Sequence, residues 1–183
     1  VDAIVNCSVV RHHPVEAFRV NTLGAYAMMR AAVAHGIRRV VQTGPQQHTV
    51  SGESDYSADY DIVDDAPPRP GRNLYFHSKY LGQEICRVYA EQYGIDVPVL
   101  LFSDFVQPAN LRRELYHFSI SWRDAARAIH CALDAQLPPP YEVFNISAEL
   151  PHGVISTQKA RHVLGWAPED DLSPGWLQKE QTP

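Results

Sequence analysis

Tyr75 and Lys79 are the two residues whose types and spacing best suit catalysis. They stand four positions apart at the start of a stretch with helical periodicity, so both side chains are predicted to share one helical face. An ammonium beside a phenol favours the phenolate and lowers the pKa of the tyrosine from its ordinary value of about 10. Such a pair suits general acid/base chemistry on an alcohol or a ketone. The alternative is an ordinary exposed helix, in which this spacing has no catalytic meaning.

Apolar periodicity and glycine stops predict the helices that would position this pair. Helical spacing of apolar and small residues runs over residues 14–35, 75–93, 121–135 and 156–164. The first, second and fourth of these helices are predicted to end at Gly36, Gly94 and Gly165. The inner side of the second helix is predicted to hold Leu81, Ile85, Val88 and Tyr89. The polar tail from residue 168 onward is expected to be loosely held.

Short apolar, β-branched runs predict four strands, at residues 2–10, 38–43, 97–102 and 141–146. Their alternation with helices is typical of an α/β protein with a doubly wound parallel sheet. Ligands bind outside the carboxyl ends of the strands in such sheets. Three strand ends, at residues 6–9, 43–47 and 103–107, are therefore expected to converge with the Tyr75 helix on one site.

Composition narrows the classes of partner. The 183 residues carry a formal charge of −5 without a basic run, so we expect no nucleic-acid partner. Cys7, Cys86 and Cys131 are far apart in apolar surroundings and are interpreted as buried free thiols in a reducing compartment. Because no apolar run reaches about 20 residues and no signal pattern opens the chain, we expect a soluble, cytoplasmic protein with no membrane partner. The adjacent pair His12 and His13 lacks ligand spacing, and no metal site is predicted.

Several motifs, in the right order, resemble the extended branch of the short-chain dehydrogenase/reductase superfamily, the NAD(P)-dependent epimerase/dehydratase group. The similar stretches are a strand at residues 1–8, Asn-Thr-Leu-Gly-Ala at 21–25, a strand at 38–43, the proline-rich approach to Tyr75 at 67–79, the helix at 121–129 and Leu-Gly-Trp-Ala-Pro at 164–168. The resemblance covers nearly the whole chain. Within that group the sequence is most similar to the uronate dehydrogenases.

The resemblance implies a Rossmann-type fold that lacks its first strands here, with residues 1–103 forming the C-terminal half of that domain. Residues 104–183 would form a small, interleaved substrate-binding portion. It also implies NAD or NADP as the cofactor, a sugar or sugar acid as the substrate, and a homodimer that packs through the helices at 14–35 and 75–93.

The resemblance also implies roles for individual residues. Tyr75 would be the general acid/base, and Lys79 would hold the nicotinamide ribose and lower the pKa of Tyr75. Asn21 would support a proton relay, although it could equally be structural. The implied catalytic residues are Tyr75, Lys79, Thr43 and Asn21, and the implied cofactor-binding residues are Cys7, Ser8, Val9, Asn21, Thr43, Tyr75, Lys79, Phe102 and Ser103. The implied substrate-binding residues are Gln46, Gln47, Asp104 and Arg113, where Arg113 would grip a carboxylate unless it is a solvated surface residue.

Two positions depart from the pattern of the resembling family. That family has Ser or Thr after the strand at 38–43, whereas this chain has Gly44 and Pro45, and proline offers no donor. Thr43, Gln46 or Gln47 could substitute for the missing hydroxyl. Asp104 stands where the uronate dehydrogenases have a small hydroxyl residue, so either the substrate differs or catalysis is impaired.

The glycine-rich pyrophosphate-binding turn of the family has no counterpart in this sequence. We therefore expect the chain to be a fragment of a longer protein, or a partner or a dimer to cover the exposed sheet edge. Two functions follow as hypotheses. The first is an NAD(P)-dependent oxidoreductase or epimerase that acts on a sugar or sugar acid, and the second is a noncatalytic or truncated relative that binds a nucleotide or a partner protein.

Overall fold

The computed structural model describes residues 1–46, 62–110, 115–151 and 153–180. In chain order, its strands are β1 (Ala3–Asn6), β2 (Arg39–Pro45), β3 (Val97–Phe102), β4 (Asp104–Val106), β5 (Ser119–Ser121) and β6 (Tyr141–Asn145). Its α-helices are α1 (Pro14–Ala17), α2 (Gly24–Ala34), α3 (Leu74–Tyr93), α4 (Trp122–Asp134) and α5 (Ser173–Glu180). Two π-helical segments, Phe18–Leu23 and Ala160–Leu164, and a 3₁₀ turn at Pro108–Asn110 complete the set.

The main sheet has four parallel strands in the order β1-β2-β3-β6. Val5 pairs with Val41, and Thr43 pairs with Leu100, so the carboxyl ends of the first three strands lie along one edge. This arrangement confirms the predicted α/β fold with a parallel sheet. A second sheet, formed by β4 and β5 in parallel, was not predicted from the sequence. Both of its strands have only three residues, too few to show a period.

Helices cover both faces of the main sheet. Side chains alternate along each strand, so that apolar residues of the same strand pack against helices on either face. Val41 and Leu100 pack with alanines of α4 in one buried cluster. Val40 and Leu101 point the other way, into a second cluster with residues of α2 and α3. The sheet is therefore doubly wound, as the alternation of elements indicates.

The helix ends follow local sequence signals. The Asn73 side chain accepts a hydrogen bond from the Tyr75 backbone N–H at 2.9 Å and caps the start of α3. The left-handed Gly94, with φ of 62°, ends the same helix. Ser121 accepts from the Asp124 backbone N–H at 3.0 Å and caps α4. These boundaries confirm the helices predicted at 75–93 and 121–135 to within one or two residues.

The buried face of α3 differs from the predicted one. Leu81 and Val88, which were predicted to point inward, are 42% and 39% exposed. The side that faces the protein carries mostly small and polar residues: Ser78, Lys79, Gly82, Gln83, Cys86 and Ala90. The reason is close packing against the π-helical segment before α2, because a Cβ on Gly82 would lie 2.2 Å from the backbone oxygen of Asn21. At such a short separation there is no room for leucine or valine.

The expectation of a loosely held tail is wrong for its described part. The carboxylate of Asp124, in α4, accepts hydrogen bonds from the backbone N–H groups of Glu169 and Asp170 at 3.0 and 2.9 Å. Leu172 and Trp176 are buried in a third apolar cluster. The tail is polar at its surface, but these contacts attach it to the domain.

Asp64 attaches the segment before α3 to the end of β6. It is 6% exposed, and one of its carboxylate oxygens accepts from the Asn145 backbone N–H at 2.5 Å. Burial raises the pKa of Asp64 from 3.8 to about 6. The folded state therefore binds this proton more tightly than the unfolded state does, and stability falls as the pH rises from about 4 to about 6.

We expect Asp64→Asn to stabilise the protein above pH 6 by roughly 1–3 kcal/mol. The amide keeps an acceptor for Asn145 and removes the buried charge. Urea denaturation at an acidic and a neutral pH measures the effect, and the loss of stability with rising pH should become smaller in the variant. Asp65→Asn is the control, because this neighbouring side chain is 84% exposed. A lower stability of Asp64→Asn at neutral pH would contradict the prediction.

Candidate active site

A cavity of about 590 Å³ opens where the carboxyl ends of β1, β2 and β3 meet the start of α3. Tyr75 lines it from α3, and an apolar wall comes from α4 on the other side of the sheet. The described residues that line it are Cys7, Val9, Arg11, Thr43, Gly44, Pro45, Tyr75, Phe76, Phe102, Ser103, Phe105, Trp122, Ala125, Ala126 and Ile129. The strand ends predicted to converge therefore do so. The prediction of buried thiols is correct for Cys86, but it is wrong for Cys7, which is exposed at this cavity, and Cys131 is only partly buried.

Tyr75 is partly buried, and its ring lies against Phe76 with the two ring centroids 5.2 Å apart. Burial raises the pKa of Tyr75, while a hydrogen bond and the charge of Arg11 act in the opposite direction. The guanidinium carbon of Arg11 lies 5.8 Å from the centroid of the Tyr75 ring. Arg11 was not singled out from the sequence, because a lone arginine in a loop carries no pattern.

Lys79 lies one helical turn after Tyr75 and is 3% exposed. Its ammonium donates to the backbone oxygen of Ser8 at 3.2 Å, and this hydrogen bond ties the loop after β1 to α3. Burial lowers the pKa of Lys79 to about 8. The expected lowering of the pKa of Tyr75 by Lys79 is not what the structure shows, since Arg11 is the neighbouring cation that has this effect.

Asn21 is 3% exposed and lies in the π-helical segment before α2. Its amide group donates to the Val10 backbone oxygen and to the Ser78 hydroxyl, both at 2.9 Å, and accepts from the Val10 backbone N–H at 3.1 Å. These bonds tie the loop after β1 to α3. Asn21 therefore holds two walls of the cavity together and is not one of its described lining residues.

The residues around Pro45 have their donors engaged with the backbone. The Thr43 hydroxyl donates to the Asn6 backbone oxygen at 2.8 Å. The Gln46 side-chain amide donates to the Leu101 backbone oxygen at 3.0 Å, and Gln46 is 1% exposed. Two of the three residues considered as substitutes for the missing hydroxyl thus donate to backbone oxygens of the sheet in this structure.

A neighbouring cavity of about 330 Å³ shares Pro45, Phe76 and Ser103 with the first one. Gln46 and Asp104 line it, and the Asp104 carboxylate accepts from the Ser119 hydroxyl at 3.0 Å. Of the residues predicted to bind substrate, these two are the ones that the structure brings together. Gln47 and Arg113 lie outside the described residues.

The apolar wall of the larger cavity is a feature that sequence reasoning missed. Trp122, 58% exposed, and Phe105, 40% exposed, line this cavity. Large exposed aromatic side chains at a cavity are typical of ligand contacts. The available signal was the position of Trp122 at the start of the helix that follows the predicted cap Ser121.

Within the described ranges, no group of three or more His, Cys, Asp and Glu side chains is arranged to hold a metal ion. None of the helices in the described part of the chain combines the length and the apolar character that a membrane span requires.

Comparison with known proteins places the site in context. The model of the NAD dependent epimerase/dehydratase family matches residues 1–122. A uronate dehydrogenase from Pseudomonas putida (strain KT2440) is 34% identical over 115 residues, which are 61% of this chain and 41% of that relative. The chain therefore spans less than half the length of this curated relative.

Solved structures share the fold over the full chain. The crystal structure of uronate dehydrogenase from Agrobacterium tumefaciens is 25% identical in sequence and has a TM-score of 0.80. The match covers 100% of this chain and 66% of that protein. The crystal structure of a glucuronic acid dehydrogenase from Chromohalobacter salexigens has a TM-score of 0.81 at 21% identity, and the match covers 100% of this chain and 66% of that protein. At this identity, the second likeness is one of fold alone.

Proposed function

Because the chain belongs to the NAD dependent epimerase/dehydratase family, we propose that it forms part of an NAD-dependent oxidoreductase that acts on a sugar acid of the uronate type. The observation that carries the proposal is the position of Tyr75, which lines a cavity of about 590 Å³ at the ends of three parallel strands. The similarity to uronate dehydrogenase from Pseudomonas putida supports the choice of substrate class.

The larger cavity fits the nicotinamide half of the cofactor. Its wall combines apolar side chains from α4 with the ends of β2 and β3, where Thr43, Phe102 and Ser103 would contact the nicotinamide and its ribose. Cys7, Ser8 and Val9 form the loop on the opposite side, and Lys79 fixes that loop through Ser8. A bound NAD would supply the hydride acceptor for oxidation of the sugar carbon.

In the proposed reaction, the phenolate form of Tyr75 takes the proton of the sugar hydroxyl as that carbon is oxidised, and becomes the neutral tyrosine. Lys79 holds the loop after β1 in place through its bond to Ser8. Asn21 ties the same loop to α3, which carries Tyr75, through its bonds to Val10 and Ser78. The apolar side chains of the cavity exclude water from the reacting carbon. No protein side chain needs to form a covalent bond with the substrate.

We assign the reacting carbon of the substrate to the larger cavity beside Tyr75, and the rest of the sugar to the neighbouring cavity of about 330 Å³, where Gln46 and Asp104 supply acceptors for sugar hydroxyls. An anionic group on the sugar would point away from the carboxylate of Asp104. Arg113 and Gln47 remain predicted substrate contacts. On this proposal, residues 104–183 contribute the substrate-binding portion, and residues 1–103 contribute the cofactor side.

A turnover assay with the natural full-length protein tests the proposal. Reduction of NAD and of NADP is followed with glucuronate, galacturonate and neutral hexoses, and epimerisation of nucleotide sugars is followed separately. We expect reduction of NAD with at least one uronate. No turnover with either dinucleotide over this whole panel would refute the proposed oxidoreductase function.

One observation favours a noncatalytic alternative. Pro45 lines the cavity beside Tyr75 and offers no hydrogen-bond donor to a substrate oxygen. A protein that only binds a nucleotide would be stabilised by NAD or NADP in a thermal-shift assay and would turn over none of the sugars. This combination of results distinguishes the alternative from the enzyme.

We also propose that the protein is a homodimer that packs through α2 and α3. Large apolar side chains remain exposed on these helices and on the π-helical segment before α2: Leu23, Tyr26, Leu81, Val88 and Tyr93, which are between 39% and 59% exposed. Apolar side chains clustered on two adjoining helices are typical of a protein interface.

Introducing charge on this surface is expected to dissociate the dimer. The double variant Leu81→Glu with Val88→Glu should be monomeric at micromolar concentration in sedimentation experiments, while the parent protein is dimeric. Val63→Glu is the control, since Val63 is 48% exposed but lies outside α2 and α3. A dimer that survives both glutamates would rule out this interface.

A further inference from the structure

Arg11 follows β1 and reaches the same cavity as Tyr75. It is solvent-exposed, so its placement costs little desolvation. Its guanidinium carbon lies over the Tyr75 ring, 5.8 Å from the ring centroid. A guanidinium at this distance is within the range of a cation–π contact and of a strong charge effect on the phenol.

The other charged and titratable groups near Tyr75 cannot easily take this role. Lys79, on α3, donates to the Ser8 backbone oxygen, and its pKa is lowered to about 8. It therefore loses its charge in the alkaline range where a buried phenol ionises, whereas arginine stays charged. Cys7 lines the cavity from the end of β1, and Asp104 lies in the neighbouring cavity with its carboxylate bonded to Ser119.

The remaining walls of the cavity carry no charge among the residues described. From β2 and β3 come Thr43, Gly44, Pro45, Phe102 and Ser103, and from α4 come Trp122, Ala125, Ala126 and Ile129. The Thr43 hydroxyl donates to the Asn6 backbone oxygen, and Pro45 has no N–H. Arg11 is thus the charged side chain in the described lining, and its guanidinium lies over the Tyr75 ring.

We propose that Arg11 is a positioning residue for proton transfer, because its guanidinium stabilises the deprotonated form of Tyr75. The inference rests on the proposed function in one respect, namely that Tyr75 gives up and regains a proton during turnover. Burial disfavours the phenolate, and Arg11 opposes this effect through a hydrogen bond and its charge. The role belongs to this chain's own loop after β1, and the charge of Arg11 also contributes to the lowered pKa of Lys79.

The test compares Arg11→Met and Arg11→Lys with the parent full-length protein. The chain has nine tyrosines, so the phenolate of Tyr75 is isolated by subtracting the ultraviolet pH titration of a Tyr75→Phe variant from that of each protein. We expect the Tyr75 titration to move to higher pH in Arg11→Met, and Arg11→Lys to restore part of the shift. In the direction of alcohol oxidation, kcat/KM at neutral pH should fall about tenfold, the change that one unit of pKa produces.

Arg38→Met is the matched control. Arg38 is also exposed, and its guanidinium contacts a tyrosine, donating to the Tyr93 backbone oxygen at 2.8 Å, but it lies at the opposite end of β2 from the cavity. Its removal should leave both the titration of Tyr75 and the pH profile unchanged. An effect of Arg38→Met as large as that of Arg11→Met would overturn the inference.

Two outcomes separate the inference from the proposed function. An unchanged titration of Tyr75 in Arg11→Met overturns the inference, even if the protein oxidises a uronate. A shifted titration in a protein that turns over no substrate supports the contact between Arg11 and Tyr75 and refutes the proposed function alone.

Discussion

Replacing Tyr75 with phenylalanine is expected to lower kcat of the full-length protein by about 10²- to 10⁴-fold, the contribution typical of a general acid/base. The variant loses only the hydroxyl group, and its ring can keep the contact with Phe76. The cap of α3 is also preserved, because Asn73 bonds the backbone of residue 75. Initial rates at saturating uronate and NAD measure the effect, and thermal shift with NAD should be nearly unchanged.

Tyr93→Phe is the control for this experiment. Tyr93 lies in the last turn of the same helix, is 47% exposed and is outside the described lining of the cavity. It should retain full activity. If Tyr75→Phe keeps more than half of the parent rate, Tyr75 is not the acid/base and the proposed mechanism fails.

The place of the site could be predicted from the sequence because it follows from topology. Short apolar runs alternating with helices require a parallel sheet, and a parallel sheet brings its carboxyl ends to one edge. Cys7, Thr43 and Ser103 were therefore expected near Tyr75, and all four residues line one cavity. The stops at Gly36 and Gly94 were predictable for a local reason, since both have the positive φ that glycine favours.

The packing of α3 could not be predicted in the same way. Its apolar residues were expected to face inward, yet the helix approaches the π-helical segment before α2 so closely that glycine and serine occupy the contact. Leu81 and Val88 consequently point outward. Hydrophobic periodicity identifies an apolar stripe, but it does not distinguish a stripe that faces the core from one that lies at the surface.

The electrostatics of the site also lay beyond sequence reasoning. The spacing of Tyr75 and Lys79 suggested that the lysine tunes the phenol, but the ammonium is directed to the Ser8 backbone oxygen. The cation over the ring comes from Arg11, more than 60 positions earlier in the chain. A contact of this kind depends on the path of a loop, for which the sequence contains no periodic signal.

The second large effect is expected from Gly82→Ala, which adds a single methyl group to α3. A Cβ at this position would lie 2.2 Å from the Asn21 backbone oxygen and 3.4 Å from the Ala25 side chain. Asn21 cannot retreat easily, since its side chain is bonded to Val10 and Ser78. We expect the free energy of unfolding to fall by about 3 kcal/mol, at the upper end of the range for overpacking, as measured by urea denaturation.

Gly24→Ala provides the matched control, because Gly24 is also helical and has ordinary α-helical angles, with φ of −62° and ψ of −42°. Its added Cβ would meet only the Arg19 backbone oxygen at 3.6 Å, an ordinary contact. Alanine should therefore be neutral there or stabilising by up to about 1 kcal/mol.

Since α3 carries both Tyr75 and Lys79, the shift forced by Gly82→Ala should also reduce kcat by tenfold or more. Equal stabilities of the two variants would show that α3 has more freedom to move than its contact with Asn21 indicates.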